Sequence, residues 1–224
     1  MIGLLRNLNR RLPGPLRRAL LVRRRARHWL RAGIVFIHVP KAAGTSINEA
    51  LYGRFMGHAR ASDLRRWAPA AVNALPSFSV TRNPWDRLLS AYRFAKSGQG
   101  IGDSYRAGMW RPHLYRGPEF ASFERFVREW LAPRDVTKLD GVFQPQWLFL
   151  CDRDKKLLVD HAGRLENLGP TYAFIEAHIG PIVPLARANR SGPILDYRQY
   201  YTPELVRRVG DIYRDDIASF GYDF

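Results

Sequence analysis

The sequence contains one cysteine, Cys151, among 224 residues. A single thiol closes no internal disulfide, and no Cys/His spacing of a structural zinc site is present. Both absences fit a reducing compartment and a fold that relies on its hydrophobic core. Long apolar runs are also missing. Between residues 4 and 33 the longest is Ala19-Leu20-Leu21-Val22, too short for a membrane span or for the apolar centre of a signal peptide. Acidic side chains are absent from residues 1–48, which carry ten Arg and one Lys. The remainder holds 25 basic and 20 acidic residues, so the net charge of +16 is mainly an N-terminal property. A basic excess confined to one end is a poor reason to expect a nucleic-acid partner, and none is expected. Lysine is scarce, 5 against 31 Arg, a compositional hint of a GC-rich genome.

Residues 1–33 read as a basic, partly helical leader. It is either solvated, or an amphipathic arm on an anionic membrane surface or a polyanionic substrate. Residues 34–224 read as one α/β domain with a mainly parallel central sheet flanked by helices. Their length and the 46% hydrophobic content of the chain allow a sizeable core. No internal repeat or low-complexity linker interrupts them.

Two strand–loop–helix units stand out. In the first, Ile34-Val35-Phe36-Ile37 leads into HVPKAAGTS and a helix over about 45–55. In the second, Phe78–Thr81 leads into RNPWDRLLSAYRF, with Asn83 as N-cap and Pro84 at the first helical position. Residues 61–75 suggest short helices broken at Pro69. Residues 98–118 suggest a long irregular loop rich in Gly, Arg and aromatics. ASFERFVREWL reads as an amphipathic helix, Leu157–Val159 as a core strand, Leu165–Ile179 as containing a helix, and 203–218 as a helix capped by Thr202.

Each unit offers an anion handle. In the first, Gly44 permits close backbone approach. Thr45 and Ser46 open a helix whose N–H groups and hydroxyls can hold oxygens, and Lys41 adds charge. The plain alternative is a capped helix beside a surface lysine. In the second, Arg82 at a strand end and Ser90 two turns into the helix can share a phosphate, the plain alternative being an Arg82–Asp86 ion pair. The lysine precedes the glycine, so the GxxxxGK[ST] loop of nucleoside triphosphatases is absent. No acidic residue ends either strand as a magnesium ligand, which a kinase would need. A ligand with two separate anionic ends and no metal fits better than a triphosphate. A nucleotide kinase or triphosphatase, or a non-catalytic basic binder of nucleic acid or membrane, are the readings that compete.

HVPKAAGTS resembles the 5′-phosphosulfate loop of sulfotransferases that use 3′-phosphoadenosine 5′-phosphosulfate (PAPS), and SVTRNPWDRLLSAYRF is similar to their 3′-phosphate element. The likeness is to the carbohydrate-type group that includes heparan and chondroitin/dermatan sulfotransferases and bacterial relatives. It continues in order through QPQWLFL, VDHAGRLENL, ANRSGPILDYRQYYTPELV and IYRDDIASFGYDF. The resemblance implies a P-loop-like sulfotransferase fold and in-line sulfuryl transfer to a hydroxyl or amine of a small-molecule or oligosaccharide acceptor, with no metal. It implies that Lys41, Ala43, Gly44, Thr45 and Ser46 grip the 5′-phosphosulfate and that Arg82 and Ser90 grip the 3′-phosphate. Arg190 and Ser191, with Asn189, would belong to a late loop closing over the donor. The Golgi members' membrane anchor and paired cysteines are missing, so a bacterial or otherwise cytoplasmic form is expected, with peripheral membrane contact through the leader as an option.

The acceptor needs a base, and histidine suits neutral pH. Of His28, His38, His58, His113, His161 and His178, His58 is the candidate, because uronyl 2-O-type relatives place a basic histidine in this interval. His113 and Glu49 are the alternatives. Trp110, Arg111, His113, Tyr115 and Arg116 suit contact with an acidic sugar, or simply a loop packing its own aromatics.

Overall fold

The apolar residues of β1 (Val35–Ile37) and β2 (Ser77–Thr81) are buried on both faces, as a parallel sheet covered by helices on each side requires. A computed structural model describes residues 13–97, 109, 112–181 and 196–224. Among them β1, β2 and β3 (His161–Arg164) form a parallel sheet in that order, Phe36 opposite Phe78 and Phe78 opposite His161. The fold is a single-domain α/β architecture.

Side chains alternate between two helical layers. Ile34, Phe36, Phe78 and Val80 pack with Ile47 of α2 (Gly44–Tyr52) and Ile175 of a later helix, Gly169–Ile179. On the other face Val35 and Ile37 meet α1 (Gly14–Ala32), α3 (Ala61–Trp67) and Val72 of α4 (Ala70–Asn73). A third apolar cluster, rich in aromatics, joins α5 (Pro84–Ser97) to Phe120, Phe126, Trp130 and Phe143 and to the helix Pro203–Ile212.

α1 bears on the basic leader. Its residues Val22, Ala26 and Trp29 recur at helical spacing and are buried, so this part of the leader is docked on the domain rather than solvated. Gly33, at φ 71°, ends it and turns the chain into β1.

Several local expectations shift. Leu157 forms only an isolated bridge with Cys151, and the third strand begins at His161. As an edge strand with half-open side chains, β3 lacks the continuous apolar signature that Leu157–Val159 shows. ASFERFVREWL starts as the α-helical turn α6 (Phe123–Arg125), capped by Ser122, and continues as a π-helical turn, Phe126–Leu131. The segment 98–118 contributes 3₁₀ turns at Pro112–Tyr115 and Pro118–Phe120; residues 98–108, 110 and 111 lie outside the described residues. Two short helices do flank Pro69. Asn83 Oδ1 accepts from Trp85 N (3.0 Å) and Thr202 Oγ1 from Leu205 N (3.3 Å), so both caps form where the sequence indicates.

Candidate active site

Because all three strands run in parallel, their carboxyl ends share one edge. The loops after adjacent strands β1 and β2 therefore meet there, the usual ligand edge of such a sheet. The loop after β1 enters α2 through two non-glycine residues in left-handed backbone conformation, Lys41 at φ 68° and Ala43 at φ 55°. Such geometry costs energy and recurs at ligand-binding loops, where alternating backbone hand gathers N–H groups around an anion. The cap residue of α2 is Ala43, which supplies no side-chain hydrogen bond to the helix. The first turn, with Gly44, Thr45 and Ser46, therefore has no side-chain cap from Ala43.

Gly44 is required by its neighbour. A Cβ there would fall about 1.9 Å from His38 Cδ2. The His38 ring fills that space, is 4% exposed, and its Nδ1 pairs with Asn48 Nδ2 at 3.1 Å. The chain then returns after α2 to set His58 against the end of β1. His58 Nδ1 donates to the His38 carbonyl at 3.0 Å, and the two rings lie 4.3 Å apart. This fixes the His58 tautomer with Nε2 unprotonated, the form that can accept a proton. His58 is exposed, with its ring against those of His38 and Phe55. Desolvation pulls its pKa down to about 4, opposed by the His38 carbonyl and aided by the charges of Arg25 and Lys41. Burial and the neighbouring His58 hold His38 well below the usual histidine value.

Lys41 lies across the edge. Its Nζ sits 4.0 Å from the centroid of the Phe94 ring on α5. Burial, with the Arg82 charge, lowers its pKa to about 8. Arg82 joins the two handles. It forks onto Asp86 through Nε (2.7 Å) and Nη2 (2.8 Å), and Nη1 donates to the Lys41 carbonyl at 3.1 Å. The Asp86 pair foreseen as the plain reading exists, yet it uses few of the guanidinium's donors. Three of five N–H groups are engaged by these bonds, leaving two for an anion. Ser90 lies half-buried on the same helix.

The sequence reading missed the supports. Gln146, fully buried, clamps Arg82 by accepting from its N–H (2.9 Å) and donating to its carbonyl (2.8 Å). Asp216, also fully buried, in turn accepts from the N–H groups of Gln146 and Trp147 at 2.8 and 2.9 Å. Glu166 accepts from Asn83 N at 2.6 Å, holding the entry to α5. A glutamine directly before the apolar run Trp147–Leu150 was the available signal for Gln146. Nothing in the local pattern marked Arg25.

Of the other candidates, His113 is exposed on the 3₁₀ turn whose Tyr115 packs into the aromatic cluster, and Glu49 is exposed on α2. Arg190, Ser191 and Asn189, like Trp110 and Arg111, lie outside the described residues. Among the described residues no group of three or more His, Cys, Asp or Glu could hold a metal ion, and no helix is long and apolar enough to cross a membrane.

The profile described as the sulfotransferase family matches residues 30–223, nearly the whole chain. The chain belongs to the sulfotransferase family. No curated protein and no solved structure matches it. Family membership supports sulfuryl transfer as the general chemistry, and in this sulfotransferase the loop after β1, Arg82 and His58 are the residues on which that chemistry can be argued.

Proposed function

We propose that the protein transfers a sulfuryl group from PAPS to a hydroxyl or amine of a carbohydrate acceptor. The observation that carries this reading is the meeting, on one sheet edge, of an unconventionally opened α2 with Lys41, of Arg82 from the neighbouring strand, and of His58 with an acceptor Nε2. The residues fit a donor with two anionic ends. Lys41, Ala43, Gly44, Thr45 and Ser46 form the left-handed turn into α2 that would take the 5′-phosphosulfate, with Lys41 balancing charge. Arg82 retains two donors for the 3′-phosphate beside Ser90. Arg190 and Ser191 are assigned to the same donor by resemblance alone.

PAPS supplies an activated sulfuryl group on a phosphate leaving group. The protein's part is positioning and charge stabilisation, as for phosphoryl transfer. His58 Nε2 takes the acceptor proton while its Nδ1–H stays anchored on His38. Lys41, in its ammonium form, stabilises the leaving phosphate oxygen. The single cysteine agrees with a cytoplasmic setting. The test is calorimetric titration with 3′-phosphoadenosine 5′-phosphate (PAP) against ATP, ADP and AMP, with and without magnesium. Metal-independent preference for PAP, lost in Arg82→Ala, is expected. Preference for ATP with magnesium, or no nucleotide binding, would overturn the proposal.

A further inference from the structure

Beside the sheet edge lies a second recess, between α1 and the chain just after α2. It has a volume of about 520 Å³. Its walls carry Arg23, Arg24, Arg25 and Arg27 from one side and Arg54 from the other, over an apolar floor that includes Phe55 and Met56. Among the described residues no carboxylate lines it, and none of these five arginines forms a salt bridge to one. Packing like charges without counter-charges is unfavourable unless an anion completes the site. Arg25 shows the cost: burial and the nearby Arg54 lower its pKa to about 10, and its Nη1 is buried with no hydrogen-bond partner.

Two residues of the recess, Arg25 and Phe55, border Gly57 and His58. The Arg25 guanidinium lies over Gly57, where a Cβ would come within 2.5 Å of Nη2, and Gly57 precedes His58. Phe55, on the floor, meets the His58 ring edge-on at 5.5 Å. We propose that this groove is an acceptor subsite, which binds a carboxylate or sulfate of an acidic oligosaccharide next to the group that His58 deprotonates. The proposal rests on the sulfotransferase reading and deepens it by naming the charge of the acceptor. The concave shape favours a chain-like ligand over a membrane: a flat bilayer surface reaches the rim arginines but not the buried Nη1 of Arg25. An anion seated there also offsets the Arg25 charge that weakens His58 as a base, so an acidic acceptor strengthens the group that activates it.

The test uses the full chain and Arg24→Glu/Arg54→Glu, which reverses one exposed charge on each wall. Binding is measured in the presence of PAP with oligogalacturonate, sulfated dextran oligomers, neutral dextran oligomers of equal length, and vesicles of phosphatidylglycerol or phosphatidylcholine. PAP affinity is measured separately. The expected result is binding of one or both acidic oligosaccharides, weakened by salt, and reduced about tenfold or more in the variant. Neutral oligomers should not bind, and PAP affinity should stay within about twofold. Equal binding by both proteins would overturn the proposal. So would capture of phosphatidylglycerol vesicles alone, which assigns the arginines to a membrane, or a parallel loss of PAP affinity, which assigns the groove to the donor. Failure of the wild-type chain to bind PAP would instead count against the sulfotransferase reading, while the oligosaccharide arm would still report on the groove.

Discussion

His58 and Lys41 both sit where their charged forms are disfavoured, and their roles require opposite protonation states. In the proposed reaction His58 is the neutral base, and desolvation lowers its pKa to about 4. In the same proposal Lys41 acts as the ammonium, and burial lowers its pKa to about 8. The pH profile of kcat/KM reports groups of the free enzyme. It should therefore rise as pH increases through about 4 and fall as pH increases through about 8. Lys41→Arg keeps its charge to much higher pH, so the alkaline fall should move upward by more than one unit even if the maximum rate drops. An alkaline limb that stays in place would remove Lys41 from the assignment. His58→Ala should lower turnover by roughly 10²–10⁴ with PAP affinity intact. A loss below about threefold would return the role to Glu49 or His113.

At the scale of elements, the site depends on how closely α2 approaches the end of β1. Gly44→Ala puts a Cβ into the His38 ring. Because His38 also anchors His58 through its carbonyl, the strain should spread to both the donor loop and the base. Overpacking of this kind costs about 1–3 kcal/mol, and both PAP affinity and turnover should fall; a variant with unchanged melting temperature and kinetics would refute the coupling. Gln146→Ala, measured by denaturant unfolding and PAP titration, should cost about 1–3 kcal/mol, since two backbone groups of Arg82 lose their partner. Elements with strong local signals were legible in the sequence: β1 and β2 as β-branched or aromatic runs, α5 from Asn83-Pro84, the helix after Thr202 from its cap and proline. β3 was not, because an edge strand reading HAGR has no apolar alternation to detect. Lys41 and Arg82 were proposed from motifs and His58 from its place in the chain order, and the fold brings Lys41 and Arg82 into direct contact. Gln146 and Arg25 were not, since a buried clamp and a lysine-free basic groove arise only from long-range packing.

For the whole molecule, the burial that shapes the site also sets how stability depends on pH. His38 is almost fully buried and neutral, its pKa well below the unfolded value of about 6.5. The unfolded chain therefore binds a proton that the native chain refuses. Stability from this group is complete above pH 6.5 and is lost as pH falls from there toward the folded pKa, with a slope of at most about 1.4 kcal/mol per pH unit. Asp216 acts in the opposite sense: burial raises its pKa despite Arg87 and the Gln146 and Trp147 amides, so its contribution declines as pH rises through the folded value. The two are separated by comparing the native chain with His38→Phe, which keeps a ring in the slot but cannot titrate. Urea midpoints between pH 5 and 7.5 should be lower overall in His38→Phe, because Asn48 Nδ2 loses its partner. Their dependence on pH should be flatter by the share that His38 contributes. Parallel curves would mean that His38 protonates in the native chain near its ordinary pKa, and the packed, neutral His38 at the sheet edge would have to be abandoned.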